Sequence, residues 1–233
     1  MARLSIIIPC PGDPVAFEDT LASVLANRPD DCEVLVPMPH PYDDPYALAD
    51  EVGFLYFPYA RSAVALLTAS LLCAKSPIVH VLQCGLIVQE GWTEAALGHF
   101  ADSRDLGAVS LTWKRPDATI VGVRVAPDGR RELCTGDAPP QGDGPWGPPL
   151  ACGFYRRSLL RALETFLADT PEGLVDAALA VGMAAIGTPC CAVPSAVRGE
   201  WEAPAVSALL RGRAEERLMQ LGDALNLFPG TQP

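Results

Sequence analysis

An α/β architecture, with a mostly parallel central sheet flanked by helices, follows from three features of this 233-residue chain. Short β-branched apolar runs alternate with segments of helical periodicity four times in the first half. The links between them are short and carry Pro, Gly and Asp, residues that stop strands and start helices. Apolar residues make up 49% of the chain and charged residues 19%, enough for one well-filled core and unlike a disordered or fibrous composition.

The elements follow in order. Leu4–Ile8, stopped by Pro9, reads as a strand buried on both faces. Phe17, Leu21, Val24 and Leu25 recur at i, i+4, i+7 and i+8, one face of a helix that opens near Pro14 and closes before Pro29. Glu33–Val36 is a second strand. Asp43-Asp44-Pro45 offers an N-cap and a first-turn proline for a helix through Glu51. Phe54–Phe57 is a third strand, Ser62–Ala74 a helix, Ile78–Leu82 a fourth strand, Trp92–Phe100 a helix and Gly107–Thr112 a further strand. Such alternation with short links predicts right-handed crossovers. Beyond residue 112 the pattern changes. Thr119–Val125 and Arg131–Leu133 flank Pro127-Asp128-Gly129 and predict a β-hairpin. Thr135 to Pro149 is a long Gly/Pro loop without periodicity, a kind of segment often kept for function. Helices are expected at Arg157–Leu167 and Leu174–Val181, short strands around Ala184–Ile186 and Cys191–Val193, and an amphipathic helix over Ala205–Leu225.

Lys plus Arg total 17 against 28 Asp plus Glu, a net charge of −11, which excludes a general nucleic-acid binder but leaves room for a local pocket for one small anion. The eight Cys are scattered, and no CxxC occurs. They read as free thiols buried like small hydrophobes in a reducing compartment, not as a zinc site. The first residues lack a signal peptide's apolar core. Ala63–Ala74 is too short to span a membrane, and Ala177–Val193 is broken by Gly182, Gly187 and Pro189. A cytoplasmic location with no membrane span is expected. Oligomeric state is left open.

In open parallel sheets, ligands bind beyond the carboxyl ends of the strands. The segments so placed are Pro9–Asp13, Pro37–Asp44, Pro58–Ser62 and Gln83–Glu90. No nucleophile elbow, P-loop or GxGxxG is present to support a hydrolase, kinase or dinucleotide-binding reading.

Ser5-Ile6-Ile7-Ile8-Pro9, the helix carrying Thr20-Leu21-Ala22-Ser23-Val24-Leu25, and Glu33-Val34-Leu35-Val36 resemble the opening of family-2 glycosyltransferases with the GT-A fold. The likeness continues through Ala74-Lys75-Ser76-Pro77-Ile78-Val79 into His80-Val81-Leu82. It then covers Gly91-Trp92 and Gly153-Phe154-Tyr155-Arg156-Arg157-Ser158-Leu159-Leu160, so it runs in order over most of the chain. It implies a GT-A-like single domain over 1–233, with a nucleotide-sugar-binding half at 1–112, an acceptor-side half at 113–200, and a C-terminal helix and tail at 201–233. The implied reaction is sugar transfer from a nucleotide sugar, usually inverting, with Mg²⁺ or Mn²⁺ on the leaving diphosphate.

The family's functional positions depart from its pattern. Its Asp-x-Asp falls on Gln83-Cys84-Gly85, its donor-binding acidic pair on Pro37-Met38-Pro39, and its Ala-Arg-Asn on Leu66-Leu67-Thr68. Two anionic ligands of a hard dication are gone, so no metal ligand and no cofactor is assigned. Of the late acidic motif only Glu172 remains, in Thr170-Pro171-Glu172-Gly173. It is a candidate general base, or else a first-turn helix carboxylate. The substrate-binding candidates are Pro9, Asp13, His40, Asp43, Arg61, Gln83, Trp146 and Arg156. Asp13, Asp43 and Asp44 suit ribose or metal, or cap helices. Arg61 and Arg156, the latter beside Arg157, suit a diphosphate, with surface carboxylates as the alternative for Arg156 and Arg157. His40 ends a strand, Gln83 keeps a hydrogen-bonding amide, and Trp146 either stacks on a sugar ring or anchors its loop. His80, inside a strand, reads as a satisfied core residue. Two readings stay open: a transferase with a rebuilt donor site, and an inactive GT-A relative that binds a sugar, a nucleotide or a protein partner.

Overall fold

Ile6, Ile7 and Ile8 expose no surface, because β1 (Leu4–Ile7) lies between two parallel neighbours, β2 (Cys32–Met38) and β4 (Ile78–Leu82). The computed structural model describes residues 3–12, 14–136, 138–140 and 144–228. In chain order the remaining elements begin with α1 (Pro14–Asn27), β3 (Val52–Tyr56), α2 (Ala63–Ser70), β5 (Leu86–Val88), α3 (Glu94–Asp102), β6 (Ala108–Lys114) and β7 (Thr119–Val125). They end with β8 (Arg131–Thr135), β9 (Trp146–Gly147), β10 (Cys152–Arg156), α4 (Arg157–Ala168), a 3₁₀ turn at Glu172–Leu174, α5 (Val175–Ala185), β11 (Cys190–Gly199) and α6 (Ala208–Ala224).

The main sheet runs β3-β2-β1-β4-β10-β6-β11-β5, with β7, β8 and β9 branching from β6. β3-β2-β1-β4 is parallel throughout. β10 then inserts antiparallel between β4 and β6, and β11 pairs parallel with β6 but antiparallel with β5, so the sheet is mixed. Alternate side chains of the central strands feed two cores. Ile6 and Phe154 join Phe17, Leu21, Val24, Trp92 and Phe100 on the face covered by α1 and α3. Ile7 and Tyr155 join Leu67, Leu160, Leu163 and Leu179 on the face covered by α2, α4 and α5.

Three local expectations are corrected. No helix forms over 43–51. Asp44 instead takes a left-handed conformation (φ +47°), and its carboxylate accepts from Leu48 N at 2.8 Å and Ala49 N at 3.0 Å. The cap-like residues close a turn because the backbone must reach β3 within a few residues. Ala184 and Ala185 end α5 rather than open a strand. The thiols are not uniformly buried: Cys10 and Cys152 are buried, Cys73 is exposed, and the others are half-buried. Among the described residues no helix is long and apolar enough to cross a membrane.

The hairpin of β7 and β8 is clamped to α5 by one ion pair. Arg131 Nε and Nη2 donate to the two oxygens of Asp176 at 2.7 and 2.8 Å, with 15% and 3% of the side chains exposed. Removing one partner strands a charge in a poorly solvated place. Asp176→Ala is therefore expected to cost about 3–5 kcal/mol in chemical denaturation, while Arg131→Met with Asp176→Leu costs far less.

Candidate functional site

The turn after β4 is held from three sides. Gln83 N donates to Ala151 O at 2.9 Å, while the side chain is 4% exposed and its amide takes no hydrogen bond among the described residues. Cys84 Sγ donates to Pro9 O at 3.4 Å, beside the end of β1. Gly85 sits at φ +93°, and its N–H donates to Thr20 Oγ1 at 2.9 Å on α1. The end of β11 closes over this turn. A Cβ at Gly199, itself at φ +134°, would lie 2.4 Å from Gly85 O, so only glycine admits the approach. Gly199 O in turn accepts from Trp113 Nε1 at 2.8 Å.

At the neighbouring strand ends, β2 and β3 bring His40 and Arg61 together. Arg61 Nη1 donates to His40 Nε2 at 3.3 Å, and both side chains are exposed. A guanidinium only donates, so this bond places the ring proton of His40 on Nδ1. Two residues on from Arg61, Ala63 N donates to Glu172 Oε1 at 2.6 Å, and Ala65 N donates to Ser62 Oγ at 3.1 Å. Glu172 stands in the first turn of its own 3₁₀ segment, as one reading of the sequence had it, and its carboxylate also caps α2, an element more than a hundred residues earlier. Local spacing carries no signal for such a cap.

The other candidates are spread out. Pro9 is buried beneath Cys84, and Asp43 is exposed on the β2–β3 loop. That loop is pinned by Tyr42, which packs on Phe17 and Phe54 and donates to Glu18 Oε1 at 2.9 Å. Asp13 lies outside the described residues. Arg156 stands opposite Ile78, at the amino end of β4, and its guanidinium donates to the carbonyls of Leu106 and Ser103, both at 2.8 Å. Arg157 donates to Ala74 O. Backbone carbonyls, not surface carboxylates, hold this pair away from the strands' carboxyl ends. Trp146 forms β9 opposite Arg124, and its carbonyl accepts from Cys190 Sγ at 3.4 Å beside the start of β6. Sequence reasoning did not single out Gly199 or Thr20, which fix the turn; their roles depend on contacts between distant strands.

The donors beyond β4 do not suit a hard dication. Gln83 is neutral, Cys84 is a soft donor engaged with Pro9 O, and Gly85 has no side chain. Among the described residues no three His, Cys, Asp or Glu side chains group to hold a metal ion.

No family model matches the chain. No curated protein matches it either. Among solved structures it is similar to GalNAc-T7, determined with UDP, GalNAc and Mn²⁺, at TM-score 0.67 and 12% identity over 96% of this chain. The fold is GT-A-like. The chain spans 49% of that protein's length, and at this identity the likeness speaks for architecture alone.

Within the GT-A-like core His80 is only half satisfied, contrary to expectation. Its Nδ1 donates to Gly153 O at 3.1 Å, which leaves Nε2 as a buried lone pair with no partner among the described residues, packed against Trp92 and Phe154. Burial holds its pKa down at about 3. A depressed histidine contributes stability in full above the unfolded value of about 6.5, and that contribution is lost as pH falls toward the folded pKa. Wild type should thus take up one more proton on unfolding between about pH 6.5 and pH 3 than His80→Leu, steepening its acid limb by up to about 1.4 kcal/mol per pH unit. Parallel urea midpoints for the two proteins from pH 6.5 to 5 would refute this assignment.

Proposed function

We propose that this chain is a divergent relative of family-2 glycosyltransferases, lacking the Asp-x-Asp, that takes a nucleotide sugar at the carboxyl ends of β1 to β4. The supporting observation is the Arg61–His40 pair. A guanidinium whose partner is an imidazole rather than a carboxylate stands there at the mouth of the sheet in an acidic chain, beside the capped N-terminus of α2. A diphosphate needs such counter-charge when no dication is held, and a guanidinium fork matches its oxygens.

Glu172 is the proton acceptor in this reading. An acceptor hydroxyl oxygen bonds to the anomeric carbon while the bond from that carbon to the diphosphate breaks. The electron pair leaves with the nucleoside diphosphate, and the hydroxyl proton passes to Glu172. Its Oε1 is engaged by Ala63 N, which orients the carboxylate. That same bond favours a second reading, a binding-only relative in which Glu172 serves purely as a cap. Glu172→Gln separates the two: it keeps an acceptor for Ala63 N but cannot take the proton.

Calorimetry with UDP and GDP in EDTA is expected to show binding of at least one of them. Arg61→Ala should weaken that binding about tenfold or more, the worth of a charge-assisted bond to phosphate. Binding that requires Mn²⁺, or that ignores the substitution, would refute the counter-charge role. Sugar transfer abolished in Glu172→Gln with nucleotide affinity intact supports the enzyme reading.

A further inference from the structure

The sheet ends at β3, and that end is open. β3 pairs with β2 alone and stands first in the strand order. In a parallel ladder successive residues turn their N–H and C=O alternately to one side of the strand and the other. Phe57 N donates to Met38 O, so Gly53 and Leu55 also face β2 while Phe54 and Tyr56 face outward. The N–H and C=O of Phe54 and Tyr56 meet no partner among the described residues. Their neighbours on the same edge are closed: Val52 N donates to Leu48 O at 2.9 Å, and Pro58 has no N–H. Edge strands are commonly shielded by a charge, a proline or a bulge, and Val52–Tyr56 holds none of these. Tyr46, Tyr56 and Tyr59, three of the chain's five tyrosines, are exposed on or beside this edge, and exposed aromatic surface is what interfaces gather.

Such an edge fits a second copy of itself. A two-fold axis through Leu55 sets Phe54 opposite Tyr56 of the second copy, and Tyr56 opposite its Phe54. Each of these pairs then exchanges both N–H···O bonds, and every open group is used. Leu55 meets Leu55 of the second copy at the closer, non-hydrogen-bonded position on the face covered by α2, while the aromatic pairs lie on the face covered by α1. Charge selects the same arrangement. Asp50 and Glu51 precede β3, and Arg61, with His40 beside it, follows. Because the two strands run oppositely, the acidic end of each copy lies by the basic end of the other. The two acidic ends are thereby kept apart in a chain of net charge −11. Glu51 is matched by Arg28, whereas exposed Asp50 has no ion-pair partner among the described residues. Arg61 gives His40 only one of several N–H donors. The contact needs no nucleotide.

We infer that the chain forms a two-fold dimer in which the β3 strands of two copies pair antiparallel and join their sheets into one. Sedimentation velocity on the full chain from about 1 to 100 µM, with amide hydrogen exchange at the same concentrations, tests it. A dimer is expected at the upper end. In it the amides of Phe54 and Tyr56 should exchange about tenfold more slowly, while that of Val52, already bonded to Leu48 O, does not change. Tyr56→Pro removes an outward N–H and no bond to β2, and should raise the dissociation constant about tenfold or more, with the urea midpoint reporting the fold. Asp50→Lys, at an exposed position, should weaken association severalfold, and Arg61→Glu added to it should restore association. A chain that stays monomeric throughout leaves the edge to a strand of some other protein and overturns the inference. So does a dimer whose Phe54 and Tyr56 amides exchange as fast as the monomer's, or one indifferent to both Tyr56→Pro and the charge reversal.

Discussion

The approach of Gly199 to Gly85 is the constraint on which the arrangement of the candidate donor site depends. Neither residue carries a Cβ, so the end of β11 lies directly on the turn that follows β4. That contact lets β5 pair with β11 at the sheet's edge and brings Gly199 O within reach of the Trp113 indole. It makes the end of β11 a wall of the mouth of the parallel strands. A side chain at either glycine would part the two segments. Their contact is therefore written into backbone conformation, with φ of +93° and +134°, rather than into a bulky residue.

Charge is placed with similar economy in a chain whose net charge is −11. Arg28, Arg124 and Arg130 pair with nearby carboxylates, Arg131 with buried Asp176, and Arg156 and Arg157 with carbonyls. Arg61 is different: it meets the His40 imidazole, which leaves its positive charge uncompensated by a carboxylate at that contact. Glu172 links the two halves of the molecule. Its carboxylate closes α2, which follows the third parallel strand, while the residue itself stands in the 3₁₀ turn before α5.

Much of the parallel half was legible in the sequence, because β1, β2 and β4 are buried on both faces or nearly so, and they and the half-buried edge strand β3 read as apolar runs bounded by Pro, Gly and Asp. The hairpin was legible from Pro127-Asp128-Gly129. β10 was not. Cys152–Arg156 runs straight into α4, and Gly153 interrupts its apolar pattern, so it carries no clear strand signal. β5 and β9, of three and two residues, owe their existence to partners far along the chain. Of the site, the strand-end positions Pro9, His40, Arg61 and Gln83 followed from topology. The distant placement of Trp146 and Arg156, and the capping of α2 by Glu172, did not, because antiparallel insertion of β10 and long-range hydrogen bonds leave no trace in local spacing.

The pairing of β5 with β11 also shapes how the molecule is assembled during synthesis. Leu86–Val88 leaves the ribosome on the order of a hundred residues before its partner Val197–Gly199, and contacts so far apart in sequence are late and slow to form. Through that interval Leu86–Val88 has no strand to pair with, and Leu86 and Val88 are both buried in the finished fold. The early parallel strands can gather before then, but this short strand joins the sheet only when β11 emerges.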